Sequence, residues 1–313
     1  MLSEFSLTHD VFRASSYSSP EVCDLHLKIL KRVLLDRGLV RDLRQGGWQN
    51  YFKEHIGEWD PRAKELVKKL VAQNRLKKAP AANPITPKGD AEWYKEAIAS
   101  SVGNPLDGII TTKDTAGTMP QSPNVSTIEK LDCCDWWNDE RQSVSVRRRT
   151  EDYLPVLTPV LAKANLLMFI DPHLDPSRPG YSEFIEILMA ARRFDDCPPL
   201  IEIHRVCYHG HGAGRMVLSE LDLRSTFQGL DEPLRTAGMT ATIYVWDDFH
   251  DRFLITDLIG IQLGNGFDIS NAQDEMTSWA RISREHRTKI QQEFDPNNSP
   301  RHTLHATFKL GVR

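Results

Sequence analysis

Three kinds of feature are missing from this 313-residue sequence, and each absence argues against a class of protein. No apolar run approaches the roughly 20 residues that a membrane-spanning helix needs, so we expect no transmembrane segment. The first residues lack a basic flank followed by an apolar run, so we expect no secretory signal. The five cysteines are irregularly spaced and predict neither a disulfide framework nor a paired zinc site. Together these features predict a cytoplasmic protein.

The sequence also has no overall excess of positive charge, since its net charge is −4 and its isoelectric point is near 6.3. Binding to a nucleic-acid backbone depends on clustered Lys and Arg, so any such contact must come from local patches. Two patches are present: residues 64–78, which include Lys68 and Lys69, and the run Arg147, Arg148 and Arg149. The alternative for the first patch is a helix face that contacts only solvent and binds no nucleic acid. On these patches we expect nucleic acid as a partner.

The length and one change of composition predict two domains. Gly, Pro, Ser, Thr and Asp dominate residues 112–138 without an apolar period, which predicts a loop and a domain boundary. We predict a mostly helical domain over residues 1–135, with a role in interaction or nucleic-acid binding, and a second domain over residues 136–313. Within the first domain we expect helices that open at Pro20 and Pro61, joined by long loops. The Trp136–Trp137 pair is expected to fill an interface, with base stacking as the alternative.

The second domain alternates between strand and helix patterns. Residues 166–170 form a short continuous apolar run, which is typical of a strand buried on both faces. Residues 200–206 and 240–246 are the next predicted strands, with a helix pattern before each of them. Residues 253–256 and 259–263 predict a hairpin. This order predicts an α/β fold with a mainly parallel sheet flanked by helices.

The segment around His250 contains the residues best suited to chemistry. Residues two apart on a strand project to the same face, so His250 and Arg252 are expected to point toward one site. A neutral imidazole can attack phosphorus, while a fixed cation neutralises the oxygens as charge develops. Asp257 lies at an odd offset and shares that face only if a turn intervenes. Gly264 and Asn265 could bring backbone amides close to an anion.

This segment resembles the HKD motif of the phospholipase D superfamily, in which His-x-Lys is followed by four residues, Asp, six residues and Gly-Ser or Gly-Gly. Here His250-x-Arg252 is followed by four residues, Asp257, six residues and Gly264-Asn265. The order of elements from residue 165 onward is also similar to one lobe of that fold. Arg252 stands where the family has Lys, and Asn265 stands where it often has Ser.

The resemblance implies a role for each matching residue. His250 would be the nucleophile that forms a phosphohistidine, Arg252 would hold the phosphate, and Asp257 would support the motif. Neither a metal nor another cofactor is implied. The family's chemistry uses a second histidine as general acid, which His250 of a second copy would supply in a homodimer. Within one chain, His204 or His173 would be the source.

The leading prediction is therefore a phosphodiesterase, specifically a nuclease that acts on DNA. Stand-alone members with one motif and an added helical domain are often bacterial nucleases, so the resemblance suggests antiviral defence and partner proteins of a defence complex. One alternative is an inactive module that binds nucleic acid or phospholipid, because residues 263–268 are similar to the phospholipase D-like domain at the C-terminus of MIT-domain proteins. A divalent-metal nuclease is the rival enzyme class, with candidate ligands His209, His211, Asp247 and Asp248.

Overall fold

The computed structural model describes residues 1–118, 122–138, 142–193, 197–210, 212–272 and 274–312. The chain divides into two compact units, residues 2–140 and 141–313, with residue 1 grouped with the second. We call them the N-terminal unit and the C-terminal unit. In the described residues, no helix is both long enough and apolar enough to cross a membrane.

The N-terminal unit is built on a parallel sheet of five strands. These strands are β1 (Ser3–Leu7), β2 (Gly38–Asp42), β3 (Leu76–Lys78), β4 (Gly108–Thr111) and β5 (Val125–Thr127). Their order across the sheet is β3-β2-β1-β4-β5, and every neighbouring pair is parallel. The helices of the unit are α1 (Pro20–Asp36), α2 (Leu43–Glu54), α3 (Pro61–Ala72), α4 (Asp90–Gly103) and α5 (Lys113–Gly117). The order reverses between β1 and β4, which makes this the topological switch point of the sheet.

This sheet corrects the expectation of helices joined by long loops. Charged residues hide the burial of β2, in which all five positions are buried. Arg41 and Asp42 in β2 are 1% and 2% exposed. The Arg41 guanidinium donates to Glu4 at 2.8 Å, and the Asp42 carboxylate accepts from the Gln49 amide at 3.0 Å. Charged residues are usually exposed, so a buried strand that contains paired charges looks like a surface segment in the sequence.

The predicted starts of two helices in the N-terminal unit are confirmed. α1 and α3 begin at Pro20 and Pro61, and Ser19 and Asp60 cap them by accepting from backbone amides. The tryptophan pair lies within this unit. Trp137 is 3% exposed, and Trp136 packs so closely on Gly108 that a Cβ there would lie 2.3 Å from its ring. The pair thus packs on the core of this unit, whereas an interface role was expected.

The C-terminal unit contains an eight-stranded mixed sheet. Its strands are β6 (Ser143–Arg147), β7 (Leu166–Ile170), β8 (Leu200–Val206), β11 (Ala241–Trp246), β12 (Phe253–Thr256), β13 (Gly260–Leu263), β14 (Met276–Ile282) and β15 (Leu304–Leu310). A separate small pair is formed by β9 (Tyr208–His209) and β10 (Met216–Val217). The helices are α6 (Thr150–Leu161), α7 (Phe184–Met189), α8 (Glu220–Thr236) and α9 (Arg284–Glu293). The strand order is β15-β11-β8-β7-β12-β13-β14-β6.

The α/β class of the C-terminal unit is confirmed. The central strands β7, β8 and β11 run parallel, as predicted, and the remaining strands extend the sheet in antiparallel pairs. Phe253 of β12 pairs with Ile170 of β7, so the residues before β12 lie at the carboxyl end of β7. His250 and Arg252 are thereby placed at the sheet edge where α/β folds usually bind ligands.

Candidate phosphate site

His250 and Arg252 line one open cavity of about 230 Å³. The segment before β12 contributes these two residues, and β13 and β14 contribute the facing wall. His250 is exposed and makes no hydrogen bond or ion pair with a residue that the structure describes. Its imidazole nitrogens are therefore open to a ligand. The lining comprises His250, Asp251, Arg252, Gln262, Leu263, Gly264, Ser278 and Ala280.

A buried carboxylate holds Arg252 at the cavity. Asp171 follows β7 and is fully buried, and its Oδ1 lies 3.6 Å from Arg252 Nε. The carboxylate also accepts from the Tyr181 hydroxyl at 3.2 Å and from the backbone amides of His173 and Phe267 at 3.0 and 3.2 Å. Burial raises the pKa of Asp171 to about 6, against the opposing effect of those amides and of Arg252. The carboxylate faces the guanidinium of Arg252, whose side chain is 27% exposed.

Gly266 allows this close packing. Its φ is +78°, and a Cβ there would lie 2.0 Å from Asp171 Oδ2 and 2.9 Å from Arg252 Cδ. The Gly-rich stretch was expected to approach a bound anion, whereas in the structure it approaches a carboxylate of the protein itself. A side chain at this position would push Asp171 and Arg252 apart.

The backbone amides of Gly264 and Asn265, which were predicted to cradle a phosphate, donate to the neighbouring strand instead. The Gly264 amide donates to the Ser278 carbonyl at 3.0 Å, and the Asn265 amide donates to Thr277 Oγ1 at 3.2 Å. Both donors are used to join β13 to β14. Gly264 still lines the cavity. The side chain of the next residue, Asn265, is exposed to solvent.

Asp257 lies away from the cavity, at the other end of β12. Its carboxylate accepts from the backbone amides of Asn165 and Leu166 at 2.9 and 3.3 Å. It thus fixes the start of β7 against the end of β12, and a direct catalytic contact is excluded by the length of the strand. The position fits a carboxylate that supports the motif from a distance.

His204 is enclosed by aromatic rings and does not line the cavity. It is fully buried, and its Nδ1 accepts from Trp246 Nε1 at 3.0 Å. Tyr244 and Phe294 pack against its ring, and burial lowers the pKa of the imidazole. His173 also lies outside the described lining, where His250 is the one histidine. The expected second histidine is therefore not supplied by His204 in this arrangement.

The two basic patches are partly neutralised. Arg148 forms ion pairs with Asp268 and Glu275, and Lys69 pairs with Glu65. Arg147 Nε lies 3.5 Å from Asp152, and Arg149 Nη1 lies 3.5 Å from Glu151. Lys68 is exposed and forms no ion pair with a described residue. Arg147, half exposed, and Lys68 keep the most accessible charge.

The rival set of metal ligands is not assembled in the described ranges, where no group of three or more His, Cys, Asp or Glu side chains is placed to hold a metal. Asp248 is bonded by the Tyr208 hydroxyl and by Arg215, and Asp247 accepts from the Thr303 amide at 3.1 Å. The Nε2 atom of His209 lies 3.4 Å from Oδ2 of Asp175, which is not one of the proposed ligands. His211 lies outside the described residues.

Sequence reasoning did not identify Asp171, Gln262 and Ser278 as site residues. Asp171 had a usable signal, because it directly follows an apolar strand on the edge where ligands bind. Gln262 is the one exposed position in the otherwise buried strand β13. Ser278 gave no signal, since its strand was not predicted.

No protein-family model and no curated protein matches the sequence. Among solved structures, a polyphosphate kinase from Porphyromonas gingivalis is similar at 11% identity with a TM-score of 0.35, over 52% of this chain and 27% of that chain. TrmBL2, an archaeal chromatin protein described with a novel mode of DNA binding, is similar at 12% identity with a TM-score of 0.29. That alignment covers 75% of this chain and 79% of TrmBL2. Similarity this distant leaves the functional argument to the site itself.

Proposed function

We propose that the C-terminal unit is a phosphodiesterase of the phospholipase D type, in which His250 attacks phosphorus and Arg252 holds the phosphate. One observation carries the proposal: the exposed imidazole and the guanidinium line the same open cavity. The guanidinium is held by a buried carboxylate, so it is oriented before a ligand arrives. A preoriented cation loses little freedom when it binds an anion, and this favours phosphate recognition.

The cavity suits a phosphodiester better than a neutral ligand. A guanidinium can bind two phosphate oxygens through its fork. Gln262 and Ser278 on the facing strands add polar side chains that can donate to the remaining oxygens. The Asp171 carboxylate is buried, accepts hydrogen bonds from the Tyr181 hydroxyl and the Phe267 amide, and faces the guanidinium of Arg252.

The proposed reaction has two steps. A nitrogen of His250 forms a bond to phosphorus while the bond from phosphorus to the leaving oxygen breaks, and water then breaks the phosphorus–nitrogen bond. The leaving oxygen needs a proton, and such acid catalysis contributes typically 10²–10⁴-fold. His250 is the one histidine in the described lining. The active form in this proposal is therefore a homodimer, in which His250 of a second copy acts as the acid.

DNA is the proposed substrate, and a role in antiviral defence with partner proteins is the proposed setting. Support for nucleic acid comes from the accessible charges of Lys68 and Arg147. Because Arg148 and Lys69 are engaged in ion pairs, the basic patches contribute less than their sequence suggests. The cavity thus supports the phosphodiester group of the proposed substrate more strongly than the basic patches support DNA as the molecule that carries it.

The second candidate function is binding of a phosphodiester without cleavage. Arg252 in place of the family's Lys favours it, because an arginine binds phosphate well but does not readily give up a proton. The single histidine in the described lining favours it too. In this case the C-terminal unit would be a binding module for nucleic acid or phospholipid.

Cleavage of bis(p-nitrophenyl) phosphate and of a DNA oligonucleotide in EDTA separates these candidates. We expect cleavage by the unmodified protein, no detectable cleavage by His250→Ala, and unchanged cleavage by His305→Ala, which replaces an exposed histidine of β15. Cleavage that survives His250→Ala contradicts the proposal. Binding that depends on Arg252 without any cleavage supports the second candidate, and activity that EDTA abolishes points to a metal nuclease.

A further inference from the structure

The N-terminal unit contains a larger cavity, of about 420 Å³, at the carboxyl edge of β4 and β5. Its volume lies in the range of small-molecule sites. The polar side chains that line it come from α4, from α5, from β5 and from the segments before and after β5. They are Tyr94, Lys113, Ser122, Ser126, Thr127 and Lys130.

Two lysines give this cavity its charge. Lys113 opens α5 directly after the end of β4, and Lys130 lies in the 3-10 turn Ile128–Cys133 that follows β5. Both side chains are exposed, and neither forms an ion pair with a described residue. No carboxylate is among the described lining residues. Two uncompensated ammonium groups in one concave site attract an anion, most strongly a dianion.

One hydroxyl of the cavity lacks a partner in the described residues. Thr127 Oγ1 is buried and accepts or donates no hydrogen bond among the residues that the structure describes. Ser126 Oγ donates to the Thr127 carbonyl at 3.1 Å. Buried polar atoms are nearly always paired, so this hydroxyl is available to a ligand in the cavity. A phosphate oxygen is an acceptor that this hydroxyl can serve.

The position in the sheet agrees with a ligand site. Parallel α/β sheets bind ligands at the carboxyl edge near the topological switch point, which here lies between β1 and β4. The crevice between those two strands is filled by the Asp10 carboxylate and the threonine hydroxyls that donate to it. The open space lies one strand further, beside β4 and β5.

We propose that this cavity binds the phosphate group of a small phosphorylated molecule, such as a mononucleotide or a sugar phosphate. Lys113 and Lys130 contact the phosphate oxygens, and the Thr127 hydroxyl donates to one of them. The remaining volume holds the organic part of the ligand. This site is independent of the proposed phosphodiesterase site, which lies in the other unit.

Isothermal titration of the full chain with inorganic phosphate, AMP and adenosine tests the proposal. We expect saturable binding of phosphate and AMP and none of adenosine. Lys113→Gln and Lys130→Gln should each weaken AMP binding about tenfold, as expected for loss of one charge-assisted hydrogen bond. Lys53→Gln is the matched control, because Lys53 is an exposed lysine of the same unit without an ion pair to a described residue.

Three results would overturn the proposal. The first is no saturable binding of phosphate or AMP at millimolar concentration. The second is equal AMP affinity in the unmodified protein and in both cavity variants, with unfolding curves that show all of them folded. The third is a DNA oligonucleotide that binds through Lys113 and Lys130 and is not displaced by AMP, which would assign these lysines to a nucleic-acid backbone.

Discussion

Each of the two sheets has a buried aspartate just beyond the carboxyl end of a central strand, and the two aspartates have different partners. Asp10 follows β1 and accepts from the hydroxyls of Thr8, Thr112 and Thr115. Asp171 follows β7 and lies beside the Arg252 guanidinium. Neutral hydroxyls close the crevice around Asp10, whereas a cation that reaches solvent leaves a cavity beside Asp171. The same place in a sheet therefore gives a structural carboxylate in one unit and a site-forming carboxylate in the other.

His9 and His250 show a similar contrast. His9 is fully buried among the rings of Trp48, Tyr51 and Trp59, with its Nε2 2.9 Å from the Trp48 carbonyl. Burial lowers the pKa of His9 to about 3, so it stays neutral in the folded protein. His250 is exposed and lines a cavity. A histidine available for chemistry is thus found in the C-terminal unit, and the buried one is part of a core.

The largest expected effect comes from Asp10→Ala. This change leaves the buried hydroxyls of Thr112 and Thr115 without their acceptor, whereas the Thr8 hydroxyl keeps the Ile110 carbonyl and Thr111 Oγ1 as partners. Each unpaired buried group costs about 1–3 kcal/mol, so we expect a loss of about 3 kcal/mol in the unfolding free energy of the N-terminal unit. Urea unfolding followed by tryptophan fluorescence measures it, since Trp48, Trp59, Trp93, Trp136 and Trp137 lie in this unit.

Asp114→Ala is the matched control for Asp10→Ala. Asp114 follows β4 but is exposed, so its removal should change the unfolding free energy by less than about 0.5 kcal/mol. A loss below about 1 kcal/mol for Asp10→Ala would show that the hydroxyls find other partners. The contrast between the two aspartates would then have no energetic basis.

Gly266→Ala should damage the C-terminal site by separating Asp171 from Arg252. The added methyl would lie 2.0 Å from Asp171 Oδ2, at a backbone φ of +78°. We expect about 2–3 kcal/mol of destabilisation, since strain and overpacking each cost about 1–3 kcal/mol, together with loss of phosphodiester binding. Gly180→Ala is the control, because its nearest neighbouring atoms lie 3.8 and 3.9 Å away. Unchanged affinity in Gly266→Ala would show that Arg252 does not need Asp171.

Acid should weaken the N-terminal unit through His9. Between pH 6.5 and about 3 the unfolded chain binds a proton at His9 that the folded chain does not, so stability falls as the pH falls. From the lowered pKa we expect a loss of about 2 kcal/mol at pH 5 relative to pH 7. Urea unfolding at the two pH values, with and without His9→Phe, measures this loss. An equal pH dependence in His9→Phe would assign the effect to other groups.

Asp171 should give the C-terminal unit a pH dependence of opposite sign. The raised pKa of about 6 means that the folded state binds more protons than the unfolded state between about pH 4 and 6. The contribution of Asp171 to stability therefore decreases as the pH rises through this window, by about 1 kcal/mol between pH 5 and 6. Hydrogen exchange of β7 and β12, corrected for intrinsic rates, should show this slope in the unmodified protein and lose it in Asp171→Asn. The same slope in both proteins would contradict the assignment.

Local patterns were enough to predict much of the C-terminal sheet. The apolar run at residues 166–170 is β7, and the predicted hairpin at residues 253–256 and 259–263 agrees with β12 and β13 to within one residue. The N-terminal sheet was missed because its burial depends on distant partners. Arg41 in β2 is neutralised by Glu4, which is 37 residues away in sequence. No local pattern reveals such a pair.

The site was predictable where its residues share one segment. His250 and Arg252 lie two apart, and they line the same cavity. Gln262 and Ser278 reach it only through strand registers, such as the pairing of Gln262 with Phe253 and with Ala280. His204 was placed at the correct sheet edge, opposite Ile170, but the rings of Tyr244 and Phe294 enclose it. Strand position is readable from sequence, whereas the neighbours of a side chain depend on the whole fold.

The most direct test of the account is the affinity of the C-terminal unit for a dinucleotide phosphodiester, measured by titration of the full chain at two salt concentrations. Arg252→Gln should weaken binding about tenfold and reduce the salt slope by about one unit, because it removes one phosphate contact. Arg301→Gln, which replaces an exposed arginine paired with Glu293 in the same unit, should bind like the unmodified protein. Unchanged affinity and salt slope in Arg252→Gln would contradict a phosphate site built on Asp171 and Arg252.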